Sequence, residues 1–124
     1  MKEVVSTAAA PAAVGPYSQA VKSGNTVYIS GQLPLNPVTG QMPEAIPEQT
    51  HQSLTNIQSI LKAAGTSLDK TLRVGIFMTD LAEFKAVNEV YLTFFTGVYP
   101  ARSTVQVAAL PLGAKIEIEA IAEL

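Results

Sequence analysis

The segment AKIEIEAIA, residues 114–122, alternates apolar and polar side chains without a break. A period of two belongs to an extended strand with one face buried, because successive side chains of a strand point to opposite sides. TLRVGIFMT, residues 71–79, repeats the pattern. Val27 and Ile29, then Leu72, Val74, Ile76 and Met78, then Val105 and Val107, then Ile116 and Ile118 compose one apolar sheet face. The other face collects Thr26, Tyr28, Ser30, Arg73, Gly75, Phe77, Thr79, Thr104, Gln106, Lys115, Glu117 and Glu119. Its mixture of small, aromatic and polar residues differs from a lysine-rich solvent face and suits a subunit interface lined with polar groups.

Two helical patterns are available to cover the apolar face. PEQTHQSLTNIQSILKAAG, residues 47–65, carries Leu54, Ile57, Leu61 and Ala64 at helical spacing, with Ile60 widening the stripe. Pro47 suits its first turn and Gly65 its C-terminal end. Asp80 is the expected cap of a second helix, with Glu83 as its capping-box partner and Leu81, Phe84, Val87, Tyr91 and Phe94 as its buried stripe. Further strands are expected over 2–6, over 17–21 paired with 26–31 across KSGN, and over 102–110 paired as a hairpin with 114–122 around PLG. Residues 32–47, with their prolines and Gly40, read as an irregular connection. The order β-β-β-α-β-α-β-β describes one α+β domain over residues 1–124, a mixed sheet with both helices on one face.

Composition narrows the function. The 124 residues include no cysteine, which excludes disulfides, thiolate catalysis and cysteine-type zinc sites, and a single histidine, His51. His51 lies off the main apolar stripe and reads as solvated. No metal-ligand motif, phosphate-cradling glycine loop or dinucleotide fingerprint is present. A net charge of −2 and a pI near 5.3 offer no field for a nucleic-acid backbone. The apolar runs are too short to span a bilayer, and MKEVVST has no signal core, so a cytoplasmic protein is expected. A mean hydropathy of +0.25 is high for so short a soluble chain, and subunit contact would hide the excess.

YPARSTVQV, residues 99–107, holds Arg102 between a proline and a strand. A half-buried guanidinium needs a planar acid to grip, either a protein carboxylate or a ligand's. Strand parity with a 102–110/114–122 hairpin puts Arg102 and Glu117 on the face the helices leave open, where Ser30 and Thr104 could join them in one cleft. Arg102 would take a planar anion and Glu117 would move a proton or hold a water. A structural ion pair between strands accounts for the same two residues. Asn88 sits at the edge of the second helix's stripe, and Tyr17 at a strand entrance.

APAAVGPYSQAV (10–21), SGQLP (30–34), FMTDLAEFKAVNEVY (77–91), YPARSTVQVAALP (99–111) and KIEIEAIA (115–122) together resemble the RidA (YjgF) family of reactive-intermediate deaminases, over essentially the whole chain. The resemblance implies a chorismate-mutase-like fold, a homotrimer with sites in clefts between subunits, and no cofactor. The implied activity is hydrolysis of enamines and imines, such as 2-aminoacrylate, 2-iminopropanoate and 2-iminobutanoate, to 2-keto acids and ammonia. By the same resemblance Arg102 clamps the substrate carboxylate and Glu117 is the acid beside the attacking water. Tyr17, Ser30 and Asn88 line the pocket, and Gly31 supplies a backbone amide. Thr104 stands where many members have cysteine, which leaves its backbone carbonyl as the group able to orient water. The segment between Phe95 and Pro100 is shorter than in some members, which bears on side-chain preference. A ligand-binding regulatory trimer and an RNA-cleaving inhibitor of translation are the alternative readings.

Overall fold

The computed structural model describes residues 1–124. Six strands form one sheet: β1 (Glu3–Val5), β2 (Ala20–Ser23), β3 (Thr26–Gln32), β4 (Thr71–Met78), β5 (Ala101–Gln106) and β6 (Ile116–Glu123). Two helices accompany them, α1 (Ile46–Ala63) and α2 (Phe84–Phe94). Across the sheet the strands run β1-β2-β3-β6-β4-β5, all neighbours antiparallel except β4 and β5. The parallel pair follows from connectivity, since α2 is the crossover that returns the chain to β4's free edge. Both helices lie on one face, as expected.

The core is the alternating face of the strands closed by α1. Val27 and Ile29 of β3, Val74, Ile76 and Met78 of β4, and Ile116, Ile118, Ala120 and Ala122 of β6 are buried against Leu54, Ile57, Ile60, Leu61 and Ala64. The expected stripe of α1 is thus buried in full, with Pro47 in the first turn and Gly65 at φ +88° beyond the end. No helix of the chain is long and apolar enough to cross a membrane.

Several expectations are corrected. The final two strands do not form a hairpin: β6 inserts between β3 and β4, and β5 pairs only with β4. Burial explains this, because β6 hides four apolar side chains and needs neighbours on both sides, whereas β5 hides few. The parallel register sets Arg102 beside Val74, Thr104 beside Ile76 and Val105 beside Phe77. Arg102 and Thr104 therefore point toward the helices, and Val105, expected in the core, is 45% exposed on the open face. Leu72 is displaced from the core face by an irregularity in β4 between Thr71 and Arg73, which buries Thr71 instead. Tyr17 precedes the second strand, which begins at Ala20. Asp80 caps a single 3-10 turn, Leu81–Glu83, through the Ala82 amide, and α2 starts only at Phe84.

Buried polar side chains tie the long connection to α1. The Asn56 amide, fully buried, donates to the carbonyls of Leu33 (3.1 Å) and Leu35 (3.0 Å), and its oxygen accepts from Gln52. Gln49 donates to the Pro43 carbonyl and accepts from the Lys115 amide, joining the same loop to the entrance of β6. Replacing Asn56 by alanine strands two partly buried carbonyls. Each buried group left unpaired costs about 1–3 kcal/mol, so Asn56→Ala should lower the melting temperature by roughly 5–10 °C. Thermal denaturation followed by circular dichroism measures this, and an unchanged midpoint would show that the loop is held by other contacts.

Candidate active site

The residues singled out from the sequence fall into two groups on opposite faces of the sheet. The first comprises Tyr17, Ser30, Gly31 and Glu117. Glu117 faces away from the helices, beside Phe77 of β4. Its carboxyl lies directly on β3: a Cβ built on Gly31 would stand 2.8 Å from Glu117 Cδ and 2.9 Å from Oε1. A side chain at position 31 would force the Glu117 carboxyl to move. The β3–β6 pairing slips between Ile29 and Gln32, so Ser30 and Gly31 sit in a bulge, an irregularity that commonly re-aims side chains next to functional sites. Burial pushes the Glu117 carboxyl above the usual glutamate range, and the charge of Glu119, on the same face two residues along, pushes it the same way.

The loop before β2 closes this group on one side. The Ser30 hydroxyl donates to the Ser18 carbonyl at 2.6 Å, leaving its oxygen able to accept, and the Ser30 amide donates to the Gln19 carbonyl. Gln19 is buried and holds the N-terminal loop by accepting from the Thr7 amide and donating to the carbonyls of Thr7, Ala10 and Pro11. Tyr17, half-exposed, lies on this pinned loop, and a shallow cavity between it and β3 is lined by Tyr17, Ser18, Tyr28 and Ser30.

The second group is Asn88, Arg102 and Thr104. Arg102 reaches toward α2, where its guanidinium carbon lies 4.6 Å from the Tyr91 ring centroid and 5.6 Å from that of Phe84. Asn88, Tyr91, Leu92, Tyr99, Pro100 and Arg102 line one open cavity. The Thr104 hydroxyl is buried without a partner. The expected single cleft holding Arg102, Thr104, Ser30 and Glu117 is therefore absent from one chain, because the register of β5 sends Arg102 to the helix side while β6 keeps Glu117 on the open side. One group offers a guanidinium fork able to take a planar anion, the other a half-buried carboxylate able to take a proton.

Sequence reasoning missed three features. Tyr91 is buried as the stripe predicts and Phe84 is partly exposed, but both also lie against Arg102, a role for which their spacing of seven residues on one helix face is the available signal. Glu119 was placed on the right face without a role. It lies over Gly75 as Glu117 lies over Gly31, with Glu119 Cγ 2.9 Å from a Cβ built there. Gln19 was read only as a strand residue. His51 is exposed, as expected, with its ring edge on Phe94 at 5.1 Å between centroids.

Comparison with known proteins places this arrangement among relatives. The profile of the family described as Endoribonuclease L-PSP matches residues 7–124. The chain is 56% identical over 124 residues to Reactive Intermediate Deaminase A, chloroplastic, of Arabidopsis thaliana, covering 99% of this chain and 66% of that protein. It is 50% identical over 123 residues to a 2-iminobutanoate/2-iminopropanoate deaminase of Capra hircus, covering 98% of this chain and 90% of the goat protein. The crystal structure of E. coli TdcF with bound serine superposes with a TM-score of 0.96 at 45% identity, over 98% of both chains. The resemblance noted from the sequence is thereby confirmed, and the chain belongs to the endoribonuclease L-PSP family, whose members similar to it include reactive intermediate deaminases.

Proposed function

We propose that the protein hydrolyses 2-imino acids and their enamine tautomers to 2-keto acids and ammonia, at sites completed by a second copy of the chain. The observation that carries this reading is Glu117: a half-buried carboxylate lying over Gly31 of the β3 bulge, on a sheet face that the chain's own helices leave open. Relatives that are about half identical are named for this activity on 2-iminobutanoate and 2-iminopropanoate. Serine, an amino acid that carries a carboxylate, is bound in the TdcF crystal structure. The chain's net charge of −2 gives little attraction for RNA.

Substrate enters carboxylate first. Arg102 grips both carboxylate oxygens through its N–H fork, and Asn88 and Thr104 lie on the same side. This orients the C=N carbon toward Tyr17, Ser30 and Glu117 of the adjoining chain. The Glu117 carboxylate takes a proton from a water as the water oxygen bonds to C2 of the protonated imine, the C=N electron pair moving to nitrogen and giving a neutral carbinolamine. It then returns the proton to nitrogen, the C–N bond breaks, ammonia leaves, and the hydroxyl proton is lost as the C2 carbonyl forms. Such imines already react with water, so orientation and one proton-transfer group suffice.

Assembly is part of the reading. Tyr28, Leu72 and Val105 are 46%, 49% and 45% exposed, a substantial apolar area for a free surface. A homotrimer would cover the open sheet face and bring the Arg102 group of one chain beside the Glu117 group of the next. Light scattering at micromolar concentration should give about three times the 13.1 kDa of one chain. A monomer retaining full activity would overturn the shared site.

The two charged residues should fail differently. Arg102→Lys keeps the charge but loses the two-pronged grip, and loss of a buried charged contact costs on the order of 2–5 kcal/mol, roughly 30- to several-thousand-fold in affinity for a 2-keto acid measured by calorimetry. Glu117→Gln should still bind the keto acid while the initial rate with 2-aminoacrylate falls by roughly 10²–10⁴-fold. Normal binding by Arg102→Lys together with lost binding by Glu117→Gln would reverse the assignment.

The reaction needs Glu117 ionised, and both burial and the Glu119 charge raise its proton affinity. Activity should therefore fall on acidification at a pH above that at which an exposed glutamate titrates. A pH–rate profile of kcat/KM reads this. An acid limb at or below pH 4, where ordinary glutamates titrate, would show that another group carries the proton.

A further inference from the structure

The Arg102 guanidinium carbon lies over two aromatic rings. It is 4.6 Å from the Tyr91 centroid and 5.6 Å from the Phe84 centroid, both within the range of a cation–π contact. The two rings come from one face of α2, while Arg102 comes from β5. Tyr91 does not move freely: it is 5% exposed and backed by Phe95, itself 5% exposed, at 4.6 Å between centroids with a 31° tilt. Phe84 is 38% exposed and closes the other side loosely. The order Phe95, Tyr91, Arg102 is a stack anchored in the core at one end and open to the cavity at the other.

A stack of this kind engages the π-face of the guanidinium and leaves its in-plane N–H groups for a ligand. An unsupported arginine has rotamer entropy to lose on binding, and a fork already fixed in its plane loses less. The Tyr91 hydroxyl is buried without a hydrogen-bond partner in this chain, so it is the ring that meets Arg102. Burial holds the phenol neutral, pushing its proton affinity further up despite the adjoining Arg102 charge.

We propose that Tyr91 is a positioning residue: its ring, with Phe84 opposite, fixes the plane of Arg102 so that the carboxylate of a 2-imino or 2-keto acid is taken two-pronged and in one orientation. This rests on the reading of Arg102 as the carboxylate clamp and assigns the aromatic shelf its part in that site. The cavity wall beside the fork is formed by Leu92, Tyr99 and Pro100, which faces the substrate's side chain with apolar surface.

The test is calorimetric binding of 2-oxobutanoate, together with steady-state kinetics on the imine, for the parent, Tyr91→Leu, Tyr91→Phe and Phe84→Ala. Tyr91→Leu should weaken keto-acid binding and raise KM by about ten-fold, with kcat changed much less, because Glu117 is untouched. Tyr91→Phe keeps the ring and should restore both values to within about three-fold of the parent. Phe84→Ala removes a partly exposed wall without opening the core and should weaken binding by about three-fold, which keeps the test decisive if Tyr91→Leu does not fold. Unchanged binding in Phe84→Ala and Tyr91→Leu, or a Tyr91→Phe as impaired as Tyr91→Leu, would overturn the proposal, the second outcome by placing the function in the hydroxyl. A parent that binds 2-oxobutanoate with this ring dependence but releases no ammonia would leave the shelf standing and remove the deaminase reading. A parent that does not bind keto acids would remove both.

Discussion

The whole molecule depends on β6 lying in the middle of the sheet. Ile116, Ile118, Ala120 and Ala122 are buried against α1, at about 25 cal/mol for each Å² of apolar surface removed from water. A strand buried on that scale cannot be left at an edge. It pairs with β3 on one side and β4 on the other, and the alternation that buries its apolar residues drives Glu117 and Glu119 onto the open face. Two carboxylates projecting from a central strand must find space over the neighbouring strands. Gly31 and Gly75 supply it, each lying where a Cβ would collide with a glutamate side chain. The same few residues hold the core together and set out the candidate catalytic carboxylate.

The edge strand β5 works under a different constraint. Its parallel register on β4 turns Arg102 and Thr104 toward the helices although the strand buries few apolar side chains. What receives them is α2, whose Tyr91 lends aromatic surface to the guanidinium while Val87 is packed in the core. Charge is thereby accommodated at the rim of the core without a carboxylate of the same chain to neutralise it. That leaves both the positive charge and its hydrogen-bonding edge available to a ligand acid. The proposed binding residue and the proposed proton-transfer residue are thus built by separate strands and point apart. This is the physical reason for reading the site as one that needs two copies.

Stability and function meet in the polar contacts of α1. Gln49 and Asn56 spend buried amides on the 33–45 connection and on the entrance to β6. A long irregular loop has many backbone groups to satisfy, and side-chain amides, which donate and accept at once, do so economically. Gln19 does the same for the loop that carries Tyr17. These three amides keep the irregular segments around the Ser30–Gly31 bulge in place.

The sequence alone determined the elements, the α+β class, the stripe of α1, the alternation of β6 and the residue types able to bind an acid and move a proton. These were legible because helix and strand periodicities are local, set by the spacing of apolar residues along the chain. Strand order, the parallel register of β5 and the irregularities at Thr71–Arg73 and Ser30–Gly31 were decided only in the tertiary structure. Val105 and Leu72 show why: each sits at an apolar position of a sound alternating pattern, yet an edge register turns one outward and a bulge the other. The pairing of Arg102 with an aromatic shelf, and its separation from Glu117 by the thickness of the sheet, follow from that order. A period of two says which residues share a face of their own strand, and it takes the neighbouring strand to say which face that is.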